Sequence, residues 1–148
     1  MATITPTLTL TSNAAGAATL PGPLSVALSL SATDALTVDT VEAATITVGT
    51  SHVTLFDGST KDIGSEVAGT NGGFIYFKNV SAADHDVYIG VEAHGAAATA
   101  LEGNADAQRL FTLKQDEFAF FPYDYNMDIT VDGENAASAL EYFLFNRG

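Results

Sequence analysis

The chain has no cysteine and no tryptophan among its 148 residues. Without cysteine there is no disulfide, no thiol nucleophile and no thiolate zinc site. Basic residues are scarce too: five Lys and Arg stand against eighteen Asp and Glu, a formal net charge of −13. Lys61, Lys78, Arg109, Lys114 and Arg147 are scattered and form no basic stripe. A protein that neutralises phosphates needs the opposite balance, so nucleic-acid binding and docking on an anionic membrane are disfavoured. No basic residue precedes Lys61, so the positive leader of a secretory signal is missing. Residues 2–33 carry no charge, but Thr, Ser, Asn, Pro and Gly interrupt them too often for a membrane span. The expectation is a soluble, unsecreted protein. Catalytic signatures are missing as well: there is no Gly-x-Ser-x-Gly elbow, no phosphate-binding Gly-x-x-x-x-Gly-Lys and no His-Glu-x-x-His. The chain is therefore expected to be no enzyme and to hold no cofactor or metal. An active site assembled from distant strands is the reading this leaves open.

What is present is β pattern. A chain of this length, 47% apolar, can bury roughly 70% of its unfolded surface in one domain. Residues 24–30 alternate Leu24, Val26, Leu28 and Leu30 with Ser25, Ala27 and Ser29, the signature of a strand with one buried face. Further short runs of β-branched and aromatic residues lie at 36–41, 44–48, 53–56, 74–78, 87–91, 110–113, 117–121, 127–131 and 139–145. Turn residues such as Asp57-Gly58 and Asn71-Gly72-Gly73 punctuate them. About ten strands at regular spacing predict an all-β antiparallel sandwich or jelly roll. Residues 94–108 break the rhythm and read as a long excursion between strands.

The N-terminus is read as a separate piece: residues 1–23 as an arm or edge strand with linker, 24–148 as the sandwich. Ile4, Leu8 and Leu10 share one side of an extended segment, and Pro6 lacks a donor, which suits an edge. Pro21-Gly22-Pro23 then stiffens the chain. Two readings stand side by side. In one, Ile4, Leu8 and Leu10 add as a strand to another chain. In the other, the segment is the first strand of the same sandwich.

Several clusters invite chemistry. Asp84-His85-Asp86 and Glu92-x-His94 flank one strand and offer metal ligands, but a five-residue strand is about 17 Å long, so its two ends cannot share one ion. Asp124, Asp128 and Asp132, with Glu134, recur along a segment whose alternation predicts an acidic, solvated outer face. Asp132-Gly133-Glu134-Asn135 could offer oxygens to calcium, without the EF-hand spacing, and the same acids could serve a glycosidase. Lys78, Asp128 and Asp132 are read as charges that discourage stray pairing at open strand edges. Phe118, Phe120, Phe121, Tyr123 and Tyr125 form the densest aromatic cluster. Phe118 and Phe120 share a face expected to enter the core, and Phe121 falls on the other. There Phe121 and Tyr123 either pack under the protein's own loops or anchor a neighbouring subunit.

The order of these runs resembles a group of small structural proteins in tailed bacteriophage particles. In that group a Tyr-x-Lys-Asn strand leads to a second strand, a Glu-Phe-x-x-Phe-Pro edge and a closing Glu-Tyr strand. Here the resemblance covers residues 73–146 and rests on Tyr76, Lys78, Asn79, Tyr88, Leu113, Glu117, Phe118, Phe121, Pro122, Glu141 and Tyr142. Asp116 stands where members often have Gly, and the 94–108 excursion is longer than usual. The resemblance implies a non-enzymatic virion structural protein: a capsid decoration (cement) protein outside the phage head, or else a tail or fibre component. Its partners would be the major capsid protein or other virion subunits, and itself as a small ring, a trimer. Ile4, Leu8, Leu10, Phe121 and Tyr123 would then be interface residues. A glycan-binding β-sandwich is the rival from another class.

Overall fold

The computed structural model describes residues 2–4, 7–11, 25–29, 36–57, 73–93, 109–123 and 127–147. These form eleven strands and no helix: β1 (Ala2–Ile4), β2 (Thr7–Thr11), β3 (Ser25–Ser29), β4 (Leu36–Val48), β5 (Val53–Phe56), β6 (Gly73–Asn79), β7 (Val87–Ala93), β8 (Arg109–Leu113), β9 (Phe118–Tyr123), β10 (Met127–Gly133) and β11 (Ser138–Arg147). The chain divides into two compact units, Met1–Val38 and Asp39–Gly148. In the first, β1 pairs antiparallel with the opening residues of β4 (Ala2↔Val38, Thr3↔Thr37, Ile4↔Leu36), and β2 pairs with β3 (Thr7↔Ser29 to Thr11↔Ser25). The N-terminal strands thus find partners within their own chain. Of Ile4, Leu8 and Leu10 only the backbone is described.

The second unit is an antiparallel β-sandwich. One sheet has the order β4-β11-β6-β9 and the other β5-β10-β7-β8. The pairing is nested: β4 with β11, β5 with β10, β6 with β9 and β7 with β8. Such nesting is one long folded ribbon. Rolling it up brings β11 beside β6 and β10 beside β7, which closes both sheets. Eight strands wrapped this way make a jelly roll. Where the sequence predicts two strands at 36–41 and 44–48, β4 is continuous. Its inward Glu42 is satisfied because the Tyr142 hydroxyl donates to Glu42 Oε1 at 3.0 Å.

Burial follows the period of two. On β6, Ile75, Phe77 and Asn79 are buried while Phe74, Tyr76 and Lys78 are half-exposed; on β11, Leu140, Tyr142 and Leu144 point inward. Phe56 of β5 crosses between the layers. It stacks on Phe77 (centroids 6.3 Å apart, 10° between planes) and meets Tyr142 edge-on at 5.2 Å.

The loops 49–52, 80–86, 114–117 and 134–137 join strands at one end of the roll, and hydrogen bonds knit them together. Asn79 is the centre. Its buried Nδ2 donates to His85 O (2.8 Å) and Leu113 O (2.9 Å), and its Oδ1 accepts from Ser81 N (3.0 Å). Its backbone N–H donates to Glu117 O, and its carbonyl accepts from Asp116 N. Ser81 continues the knot: its Oγ accepts from Ala139 N and its carbonyl from Gln115 Nε2. At Gly133 a side chain has no room, since an added Cβ would lie 2.6 Å from Val48 O and 2.8 Å from Ser138 Cβ. The turn 114–117 closes with Glu117 N–H donating to Lys114 O, and Asp116 inside it has φ of 64°. Asp116 thus occupies a left-handed position that glycine fills without strain.

Two stability predictions follow from this end of the roll. Replacing Asn79 by Ala strands two carbonyls and one amide in the interior, and should cost about 2–4 kcal/mol in urea unfolding. Asn79→Asp, nearly the same shape, should cost at least as much, because a carboxylate would face two carbonyl oxygens. At position 116, Gly should leave stability within about 0.5 kcal/mol, whereas the β-branched Val should cost about 1–2 kcal/mol. Equal losses for Gly and Val would contradict the left-handed assignment.

Candidate functional site

Three strands of the first sheet carry aromatic residues on both sides: Phe74-Ile75-Tyr76-Phe77 on β6, Phe118-Ala119-Phe120-Phe121 on β9 and Tyr142-Phe143-Leu144-Phe145 on β11. In a two-layer sandwich the facing sides of the sheets make the core, and an outer side is buried only where something else covers it. The inner rings enter the core, and the outer ones must find a place on the surface. Register decides which. Ile75 pairs with Phe121 and Phe77 with Ala119, and partners across antiparallel strands share a face. Phe121 therefore points inward, against Phe77 (5.9 Å) and edge-on to Phe111 (5.6 Å), and Tyr123 is buried with its hydroxyl donating to Met127 O.

This reverses the faces expected from sequence. Phe118 and Phe120, expected in the core, are 57% and 39% exposed. Phe121 and Tyr123, proposed as subunit anchors, have their rings committed to the interior. Strict alternation offers two choices of face, and both were aromatic.

The outer face is a continuous aromatic surface. Phe74 stacks on Phe120 (5.5 Å, 8°), Tyr76 on Phe118 (6.1 Å, 27°) and Phe143 on Phe145 (6.1 Å, 9°). Edge contacts Tyr76–Phe143 (5.7 Å) and Phe120–Phe145 (6.3 Å) tie the three pairs together. On the same side of β4, Val41, Ala43, Thr45 and Thr47 are exposed, while Ala44, Ile46 and Val48 pack against the core. Lys78 and Glu141 stand opposite one another on β6 and β11, the only charged groups among the described side chains of this face. The proline of β9, Pro122, fits because β9 is the last strand of its sheet. No family model matches the chain, nor does any curated protein or solved structure.

The second sheet differs. Its outward positions, Tyr88 and Glu92 on β7 and Asp128, Thr130 and Asp132 on β10, are polar yet buried, with Asp128 8% and Asp132 0% exposed. The acidic stripe expected to be solvated is therefore interior. Nor do Lys78, Asp128 and Asp132 guard edges, since β6 and β10 each lie between two neighbours. Glu92 is directly opposite Asp128, and His52 Nε2 lies 3.1 Å from Glu92 Oε1. Sequence reading missed His52, which comes from a loop forty residues upstream. The Arg109 guanidinium sits 4.4 Å above the Tyr88 ring.

The metal readings fare accordingly. Among the described residues no group of three or more His, Asp or Glu is arranged to hold an ion. Asp86 bonds Lys114 Nζ at 2.8 Å, Glu134 Oε2 accepts from Asp86 N and Asn135 Oδ1 accepts from Ala137 N, so these oxygens close turns rather than converge. His94, Asp124 and Tyr125 lie outside the described residues. Asp128 and Asp132, four residues apart on one strand, are separated by about 13 Å along it, beyond the span of a carboxylate pair that cleaves a glycoside.

Among the described residues two groups are shifted, both at the alkaline end of the range. Burial, then the hydrogen bond to Glu42, pushes the Tyr142 hydroxyl above its usual 10.0. The hydrogen bond to Asp86 raises Lys114 above 10.5. A raised folded-state value means that the contribution is whole below the unfolded value and fades as pH climbs through the folded one. The melting temperature should therefore fall as pH rises past about 10, and Tyr142→Phe should flatten that fall. An unchanged alkaline slope in the variant would remove Tyr142 from the account.

Proposed function

We propose that this protein is a non-enzymatic structural component of a virus particle, a capsid decoration protein on the outside of a tailed-phage head. The observation that carries the reading is the aromatic outer face of β6, β9 and β11. Six rings of roughly 150–250 Å² each, two of them 57% and 39% exposed and four part-exposed, leave on the order of 400 Å² of apolar surface in water. A contiguous apolar patch of that size is often functional, and we read this one as a contact with another macromolecule. The resemblance of residues 73–146 to virion proteins supplies the class of partner, the major capsid protein or a neighbouring virion subunit. The jelly roll is compatible, being a wrap that viral shell proteins use, although lectins use it too.

The composition of the face favours protein over sugar. A sugar needs hydrogen-bonding partners for its hydroxyls beside the ring it stacks on, and among the described side chains of this face the six rings are bordered by one Lys and one Glu. Rings presented in this way suit the interdigitation of side chains at a protein interface. The glycan-binding reading keeps its support from the fold and the aromatics, and a tail or fibre position remains the alternative within the virion.

Particle purification tests the proposal. The protein should co-sediment with heads, and particles lacking it should assemble yet release DNA at lower temperature, because a ligand that binds only the assembled shell stabilises it by mass action. Recovery with tails would move it within the virion. Recovery with neither, together with retention on a polysaccharide that Phe120→Ala abolishes, would replace the virion reading by the glycan one.

A further inference from the structure

We infer that the occupant of the aromatic face is a second copy of this chain, packed sheet face to sheet face across a two-fold axis. The inference rests on the reading of that face as a macromolecular contact, but not on which particle the protein joins.

Three features of the face select a copy of itself. The first is charge. Each copy carries −13, and two such bodies repel wherever their acids meet. On this face the charged pair among the described side chains is one Lys and one Glu, side by side on adjacent strands at Lys78↔Glu141. A two-fold axis can set Lys78 of one copy near Glu141 of the other, and Glu141 near Lys78, so the face is complementary to itself. The second is area. A stable interface buries roughly 800 Å² per partner around an apolar centre. The aromatic patch is of the order of half that, and Val41, Ala43, Thr45 and Thr47 on the adjoining β4 extend it with a mixed rim. The third is shape. The outer side of a sheet is the surface another sheet packs on, at about 10 Å spacing. The anchors expected for a ring of three, Phe121 and Tyr123, face the other way and take no part.

The experiment is analytical ultracentrifugation of the purified full-length chain from 1 to 100 µM, with no particle present. The wild type should sediment as a dimer in the upper part of that range. Phe118→Asp, at an exposed ring, should weaken the dimer by about tenfold or more while leaving the circular dichroism spectrum and the monomer's melting temperature in place. Lys78→Glu and Glu141→Lys should each weaken self-association. Mixed together they should form a heterodimer, because each then offers the charge the other lacks. That rescue on mixing separates a contact between copies from a pair acting within one chain. A wild type that stays monomeric throughout, or a dimer indifferent to all three substitutions, overturns the inference. So does failure of the two charge variants to associate when mixed. The particle experiment stands apart: a monomer that still binds heads defeats only this inference, and a dimer that binds none defeats only the virion reading.

Discussion

The buried amide of Asn79 is the constraint on which the described end of the jelly roll depends. Rolling a ribbon of eight strands leaves loops with backbone groups that the sheets cannot pair, and those groups lie beside the core, away from water. One side chain with two donors and an acceptor meets three of them at once, reaching His85 O, Leu113 O and Ser81 N. Because Leu113 belongs to the opposite sheet from β6, the same amide fixes how the two layers meet at that end. Ser81, Gln115 and Ser138 extend the network to every loop except 49–52, which is joined through Gly133 N and Gly49 O.

A second constraint is that a sandwich has two inner faces only. Aromatic residues at both parities of β6, β9 and β11 exceed what the interior can take. The chain accommodates the excess by stacking six rings on the outside of one sheet. The opposite sheet inverts the pattern: its outward positions hold Glu92, Asp128 and Asp132, and these are buried. Each polar group there needs a partner to offset desolvation, and the His52–Glu92 contact and the placement of Arg109 over Tyr88 are part of that compensation. Exposed aromatic rings outside one sheet and buried acids outside the other give the sandwich two chemically different sides. Of the described acidic side chains, Glu141 is the one that lies on the aromatic side.

Strand positions were largely legible in the sequence, because alternation and turn residues are local signals. The run 53–56 is found as read, and 74–78, 87–91, 110–113, 127–131 and 139–145 are found with ends extended by one or two residues. The misreading of β4 as two strands came from Glu42, a charge at an inward position that looks like a break until its partner Tyr142 is known, a hundred residues away. The exchange of faces on β9 had a similar cause. In Phe118-Ala119-Phe120-Phe121 both parities are apolar, and only pairing with Ile75 and Phe77 selects the inner one. A signal for the exposed face did exist in the three strands with aromatics on both sides, only one of which the facing sheet can cover.

By itself, then, the sequence determined the all-β class, the number and place of most strands, the absence of thiol chemistry and the acidity that sets how copies approach one another. These are matters of composition and short-range period. Tertiary structure decided the rest: the nested pairing that makes the sandwich a jelly roll, the inward turn of Phe121 and Tyr123, the burial of Asp128 and Asp132, and the gathering of Phe74, Tyr76, Phe118, Phe120, Phe143 and Phe145 into one surface. Each of these depends on register between strands distant in the chain. A shift of one residue exchanges the two faces of a strand, while its local sequence pattern reads the same either way.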